Sequence, residues 1–290
     1  MISERSTIGF GLNLGPRSQV YKSRIFQGDA LRILKRLPSQ SVQCVITSPP
    51  YWGLRDYDSA EQIGLEETLT GFLDKLVEVF EEVKRVLKDD GTFWLNIGDG
   101  YTSGGRAWRA PDKKNPARAM SVRPNTPEGL KPKDMLGVPW RLAFRLQEAG
   151  WYLRADVVWH KPNAMPESVK DRPTRAHEYL FLLTKSDQYR YDNSAVLEVN
   201  GRNRRSVWSI NTKAVANGHF ASFPPALITP CVLASTAPGD VVLDPFFGSG
   251  TVGVVAKDTG RAYVGIELNP KYVKIAKERL ADENLKIVKA

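Results

Sequence analysis

Cysteine is nearly missing: Cys44 and Cys231 are the only two in 290 residues. Two cannot build a disulfide framework, and neither stands in a Cys-x-x-Cys or Cys/His spacing that would hold zinc. Histidine is as scarce. His160, His177 and His219 are widely separated and carry no metal signature, so no metal is expected. No apolar run approaches the ~18 residues that cross a bilayer, and the opening Met-Ile-Ser-Glu-Arg-Ser lacks the layout of a signal peptide. These absences predict a soluble, cytoplasmic protein with no membrane partner. Acid is also in deficit, since 41 Lys plus Arg face 32 Asp plus Glu, for a net charge of +9 and a pI near 9.5. A polyanion is therefore the first partner to consider, although many basic proteins bind no nucleic acid.

What is present is ample apolar material, 42% of the chain, arranged in alternation. Short β-rich runs over 23–27, 42–47, 92–97, 154–160, 178–184, 241–244, 262–267 and 285–288 read as strands. Between them, helices are expected over 29–37, 66–88, 134–149, 224–236, 250–259 and 270–282. The longest repeats Phe72, Leu73, Leu76, Val79, Phe80, Val83, Val86 and Leu87 on one face and stops at Asp90-Gly91. Strand and helix in turn predict an α/β fold with a parallel sheet. Residues 1–22 read as a tail without signal, and 23–290 as one catalytic domain with no internal repeat.

Two stretches interrupt the rhythm. An inserted loop, 99–133, is rich in Gly, Pro, Ser and Asn and carries Lys113 and Lys114 among many basic residues. A second region, 186–220, sets Arg202, Arg204 and Arg205 beside Trp208. Basic side chains interleaved with aromatics suit phosphate and base contact, whereas a solvated surface is the plainer alternative.

Asp29, Ser48, Asp244 and Glu267 each fall at the end of a predicted strand. In an open parallel sheet such positions share the carboxyl edge, where ligands bind. The string Val241-Val-Leu-Asp244-Pro-Phe246-Phe-Gly248-Ser-Gly250-Thr251 runs from a buried strand through a glycine turn into a helix. Gly248-x-Gly250-x-x-Gly253 also matches a dinucleotide fingerprint, so NAD stays open at this point. Asp244 would repel a pyrophosphate, however, and could pair with a cationic amino-acid moiety such as the methionine end of S-adenosylmethionine (AdoMet). Glu267 suits ribose hydroxyls in either case.

The other element is Ser48-Pro49-Pro50-Tyr51. Two consecutive prolines fix the backbone and remove two N–H donors, leaving mainly acceptors, namely the Ser48 hydroxyl and the Pro49 carbonyl. An exocyclic amine is a poor nucleophile because its lone pair is delocalised into the ring. Acceptors on its hydrogens favour the pyramidal nitrogen and stabilise positive charge as it forms. Tyr51 offers a face on which an extruded base can stack.

With these two strings together, the chain resembles the AdoMet-dependent amino-methyltransferases of bacterial and phage DNA modification over roughly 24–282. Ser-Pro-Pro-Tyr before Asp-Pro-Phe-x-Gly-Ser-Gly-Thr is similar to the permuted order called the β class. The resemblance implies a doubly wound, mostly parallel seven-stranded sheet with one reversed strand. It implies a catalytic pocket of Ser48, Pro49, Pro50 and Tyr51, and a cofactor site including Asp244, Phe246, Gly248, Gly250 and Thr251. By local match it assigns Asp29 to the adenine of AdoMet, Phe223 and Pro224 to its methionine end, and Glu267 with Asn269 to its ribose. Trp159-His-Lys161-Pro and His177-Glu178-Tyr179 resemble strands flanking the base pocket, without individual roles. DNA is the implied partner, with Arg55, Lys113, Lys114, Arg202, Arg204 and Arg205 as contacts and 186–220 as the target-recognition region. A cognate restriction endonuclease and a second copy of the chain are further partners the resemblance allows.

Relatives with Ser in the first motif position tend to methylate cytosine N4, and those with Asp or Asn adenine N6, so Ser48 favours cytosine N4. Carbon-5 methylation needs a cysteine nucleophile, and Pro230-Cys231 is present. Cys231 falls in an apolar helical pattern, where a buried thiol is the ordinary explanation, and Cys44 alternates within a strand. Rival readings are a methyltransferase for RNA or protein, an NAD-binding oxidoreductase, and a DNA-binding module without catalysis.

Overall fold

A computed structural model describes residues 23–54, 61–102, 124–212, 223–281 and 286–289. The chain runs β1 (Arg24–Gln27), α1 (Ala30–Leu34), β2 (Val42–Thr47), α2 (Leu69–Val86), β3 (Leu87–Ile97), α3 (Val138–Glu148), β4 (Tyr152–His160), β5 (His177–Thr184) and β6 (Val207–Ser209). It continues α4 (Pro225–Ser235), β7 (Val241–Asp244), α5 (Thr251–Asp258), β8 (Ala262–Glu267), α6 (Pro270–Leu280) and β9 (Lys286–Lys289). The strands form one sheet in the order β6-β4-β5-β3-β2-β7-β8-β1-β9. Only β5 runs against its neighbours β3 and β4; the other pairings between these strands are parallel.

The doubly wound arrangement with one reversed strand agrees with expectation. The strand number is nine among the described residues rather than seven, because β6 and β9 extend the two edges. Strand β6 was not foreseen, since 186–220 reads as loop. It forms because Val158 N–H donates to Ser206 and Ile210 N–H to the His160 carbonyl, extending β4's pairing, while Trp208 sinks into the core.

Burial divides cleanly between the two faces. Helices α1 to α3 pack their apolar stripes on one side around Phe72, Phe80, Phe93 and Leu142. Helices α4 to α6 cover the other around Ile46, Ile228, Cys231 and Val252. Helix α2 starts at Leu69 rather than 66 because Thr68 is its cap, its side chain accepting from Gly71 N–H. The chain then passes directly into β3, five residues earlier than its apolar run suggests. Polar residues enter this strand because each finds a partner: Lys88 meets Asp240, Asp89 meets Lys185, and Gln43 donates to Asp90.

Central strand β2 is buried throughout and lies between β3 and β7. Connections leave β2 and β7 toward opposite sides of the sheet. This switch in strand order opens a crevice at the carboxyl edge, where Ser48, Asp244, Glu267 and Asp29 emerge.

Candidate active site

One cavity of about 310 Å³ occupies that crevice. All four residues of the Ser48-to-Tyr51 turn line it. On the opposite wall stand Asp244, Phe246, Gly248, Thr251, Glu267 and Asn269, with Asp29 and Phe223 completing the enclosure. Pro224 and Gly250 do not line it. Pro224 instead caps α4, its carbonyl accepting from Leu227 N–H at 2.9 Å, and Gly250 caps α5 in a left-handed conformation (φ +82°).

Asp244 is buried beneath the cavity, where Thr47 donates to its Oδ1 at 2.6 Å and Phe246 N–H at 3.0 Å. Burial, with the nearby Glu267 charge, pushes its pKa up to about 7 against these hydrogen bonds. Glu267 accepts from Gly248 N–H (2.8 Å) and Asn269 N–H (2.7 Å), and burial raises its pKa to about 7 as well. Two carboxyls desolvated in one cavity favour a cationic occupant. Apolar Phe223, Phe246, Ile266 and Tyr272 surround them and can accept a flat heterocycle. Asp29 also caps α1, its Oδ1 accepting from Arg32 N–H at 2.8 Å.

These residues fit AdoMet and do not fit a pyrophosphate. The Gly248 amide is already engaged by Glu267. A Cβ on Gly253 would lie 2.7 Å from the Phe247 ring, one on Gly250 would lie 3.0 Å from Ala276, and one on Gly265, in the next strand, would lie 2.4 Å from the same ring. The glycines of the apparent dinucleotide fingerprint thus admit an aromatic ring and a neighbouring helix, not phosphates.

At the other wall, side chains form a directed chain. Tyr51 donates its hydroxyl to Glu178 Oε2 at 2.9 Å, and Glu178 Oε1 pairs with Lys161. Lys161 in turn lies over the Trp159 ring, 4.2 Å from its centroid. Burial and the Glu178 charge raise the Tyr51 pKa well above its ordinary value, so its proton stays on. The Ser48 hydroxyl and the Gly98 amide, polar neighbours of the Tyr51 oxygen, oppose that shift without reversing it. Ser48 lines the cavity beside Tyr51, where its hydroxyl oxygen offers lone pairs.

Sequence reasoning gave no role to Glu178, Lys161, Gln62, Ile63 or Tyr272. Glu178 opens β5 and so belongs to the carboxyl edge only because that strand is reversed; Gln62 and Ile63 lie in a segment without periodicity. Arg55, Lys113, Lys114 and His219 fall outside the described residues. Arg202, Arg204 and Arg205 do not line the cavity; Arg205 pairs with Glu198, and Arg204 stacks on Trp208 at 4.4 Å. Trp208 is itself 7% exposed, which makes it core rather than a base-stacking surface. Both cysteines are buried with raised pKa values, Cys44 to about 12, and neither lines the cavity. His160 meets Ser209 at 3.0 Å, and His177 packs edge-on against Tyr179. No group of three metal-binding side chains occurs among the described residues, nor a helix long and apolar enough to cross a membrane.

A parallel sheet with one reversed strand, an acceptor turn after β2 and paired carboxyls after β7 and β8 define an AdoMet-dependent amino-methyltransferase. The chain belongs to the DNA methylase family that embraces N6 and N4 amino-methyltransferases, which matches residues 42–278. It is 68% identical over 269 residues to the Type II methyltransferase M.Cfr9I of Citrobacter freundii, covering 91% of this chain and 90% of that protein. The Thermus thermophilus protein TTHA0409, solved complexed with S-adenosyl-L-methionine, superposes with a TM-score of 0.68 at 27% identity, over 92% of this chain and 98% of that one. The PvuII DNA methyltransferase (cytosine-N4-specific) shares the fold, with a TM-score of 0.69 at 23% identity over 92% of this chain and 90% of that one. The protein is therefore a DNA methyltransferase, and its cofactor is AdoMet.

Proposed function

We propose that this enzyme is a site-specific Type II DNA methyltransferase that transfers a methyl group to cytosine N4. The observation that carries this reading is the Ser48 turn facing the Asp244 and Glu267 carboxyls across one cavity. Bound AdoMet supplies an electrophilic methyl group. Asp244 holds the methionine end beside Phe223, Glu267 with Asn269 the ribose, and Asp29 the adenine side. The target base leaves the helix to reach so enclosed a site. Ser48 Oγ accepts one amine hydrogen, and the Pro49 carbonyl accepts the other. Together they draw the nitrogen lone pair out of conjugation and oppose the positive charge that develops on it. The methylated amine is acidic enough to lose its proton to an acceptor or water. The Tyr51 ring, one edge against Gly98, offers its free face to the base.

The choice of cytosine rests on Ser48 in the first motif position. Basic residues Arg55, Lys113, Lys114, Arg202, Arg204 and Arg205 are assigned to the phosphates, and an endonuclease of the same sequence specificity is the expected functional partner.

Incubation with duplex DNA and methyl-labelled AdoMet, followed by digestion to nucleosides, tests the assignment. Label in N4-methylcytosine is expected; label in N6-methyladenine would correct the base, and label confined to RNA or protein acceptors would overturn the DNA reading. Ser48→Ala should lower kcat by about ten- to a hundredfold, the value of a hydrogen bond to a charged group, with AdoMet affinity unchanged.

A further inference from the structure

Beyond Lys161, the loop 161–176 between β4 and β5 has no part in the chemistry above. Its two ends stand at the cavity: Lys161 pairs with Glu178, which lines it, and Lys161 N–H donates to the Ala176 carbonyl at 2.7 Å, closing the loop at its base. On one flank, Asn163 exchanges hydrogen bonds with the Thr212 backbone at 3.0 and 2.9 Å. On the other, Glu167 pairs with Arg172, whose guanidinium lies 3.9 Å from the Tyr101 ring centroid, and Arg175 meets Asp99 at 3.6 Å. Between these braces stands Met165, 83% exposed.

A braced loop that holds a large apolar side chain in water loses hydrophobic stabilisation unless something covers that side chain. The occupant indicated here is duplex DNA. The chain is a DNA methylase, the loop rises from the rim of the pocket that takes the base, and Lys170, Lys131 and Lys133 are exposed in and beside it, Lys133 pairing with Asp171 of the loop at 2.8 Å. A base that leaves the stack opens a gap one base thick. Methionine, unbranched and polarizable, suits such a gap, and apolar wedges of this kind offset unstacking in other DNA-bending proteins.

We infer that Met165 is the wedge that enters the duplex where the target base departs and holds it extruded. The inference rests on the methyltransferase reading and adds the element that performs extrusion. The braces give the wedge its rigidity: a floppy loop would lose more entropy on insertion than the contact returns.

The test compares single-turnover methylation by the wild type, Met165→Ala and Met165→Leu on two short duplexes carrying a site the wild type methylates. In one the target base is paired; in the other it faces an abasic position, which lowers the cost of extrusion. Met165→Ala should be slowed on the order of tenfold or more on the paired duplex and about twofold or less on the abasic one, while Met165→Leu stays close to wild type on both. A 2-aminopurine at the target position should brighten with the wild type and Met165→Leu but not with Met165→Ala. Equal slowing on both duplexes, or no slowing on either, overturns the wedge. Absence of methyl transfer to any DNA by the wild type would instead overturn the reading on which it rests.

Discussion

Ser48 serves an attacking amine only when its own hydroxyl hydrogen points elsewhere. A lone serine hydroxyl rotates and can as easily donate as accept, and a donated hydrogen would oppose the attacking amine. Here the Ser48 hydroxyl neighbours the Tyr51 oxygen, Tyr51 donates to Glu178 at 2.9 Å, and Glu178 pairs with Lys161. If direction is passed along this chain, Tyr51→Phe and Glu178→Gln should each lower kcat by about tenfold, and the double variant should be no worse than either single one. Additive losses in that cycle, with AdoMet affinity and Tm unchanged, would mean that Glu178 acts on the base directly. The motif residues were legible because Ser-Pro-Pro-Tyr has no good structural excuse after a strand. Glu178 was not, because a carboxylate at a strand start reads as solvated unless its ammonium partner, 17 residues earlier in sequence, is known to lie beside it.

At the scale of elements, the segment from β7 through β8 is organised around Phe247. Its ring lies on Gly265 of β8 and against Gly253 of α5, and it stacks with Tyr263 at a centroid separation of 5.9 Å. Gly265→Ala should therefore cost about 1–3 kcal/mol through overpacking, measurable by denaturant unfolding, and weaken AdoMet binding because Glu267 is two residues on. Phe247→Leu should restore part of both. The positions of strands and helices were readable from periodicity to within a few residues, since each buries one stripe or one run. Strand β6 was not, because three residues in a basic segment carry no period and its pairing depends on β4. The first residues of β3 were missed for a related reason: Leu87 and Lys88 read as the end of the helix, and Asp90-Gly91 as its stop, until the partners of Lys88, Asp89 and Asp90 from distant segments are in place. The glycine string misled most, since its spacing is shared by folds that use the glycines differently.

Over the whole molecule, the two raised carboxyls couple cofactor binding to pH. Both sit near 7 in the folded protein against about 4 unfolded, so the folded state binds more protons between those values. Their contribution to the stability of the free protein is complete below about pH 4 and is lost as pH rises through about 7. A cationic ligand favours the ionised forms, so the sign for binding is opposite. AdoMet affinity should rise across the same window, and the Tm increase it produces should be larger at pH 8 than at pH 6, which a thermal-shift titration checks.

The crevice is held across its middle by the β2–β7 pairing and by the Thr47–Asp244 bond, which joins residues 197 positions apart. The β4–β5 pair, by contrast, joins strands consecutive in the chain. Closing so long a loop carries most of its entropic penalty before any contact rewards it, so the junction should form late on the folding pathway. A ligand that needs both halves has nothing to grip in the transition state. AdoMet should accordingly slow unfolding in stopped-flow experiments and leave the refolding rate unaltered, so that the cofactor protects the enzyme kinetically without guiding its assembly.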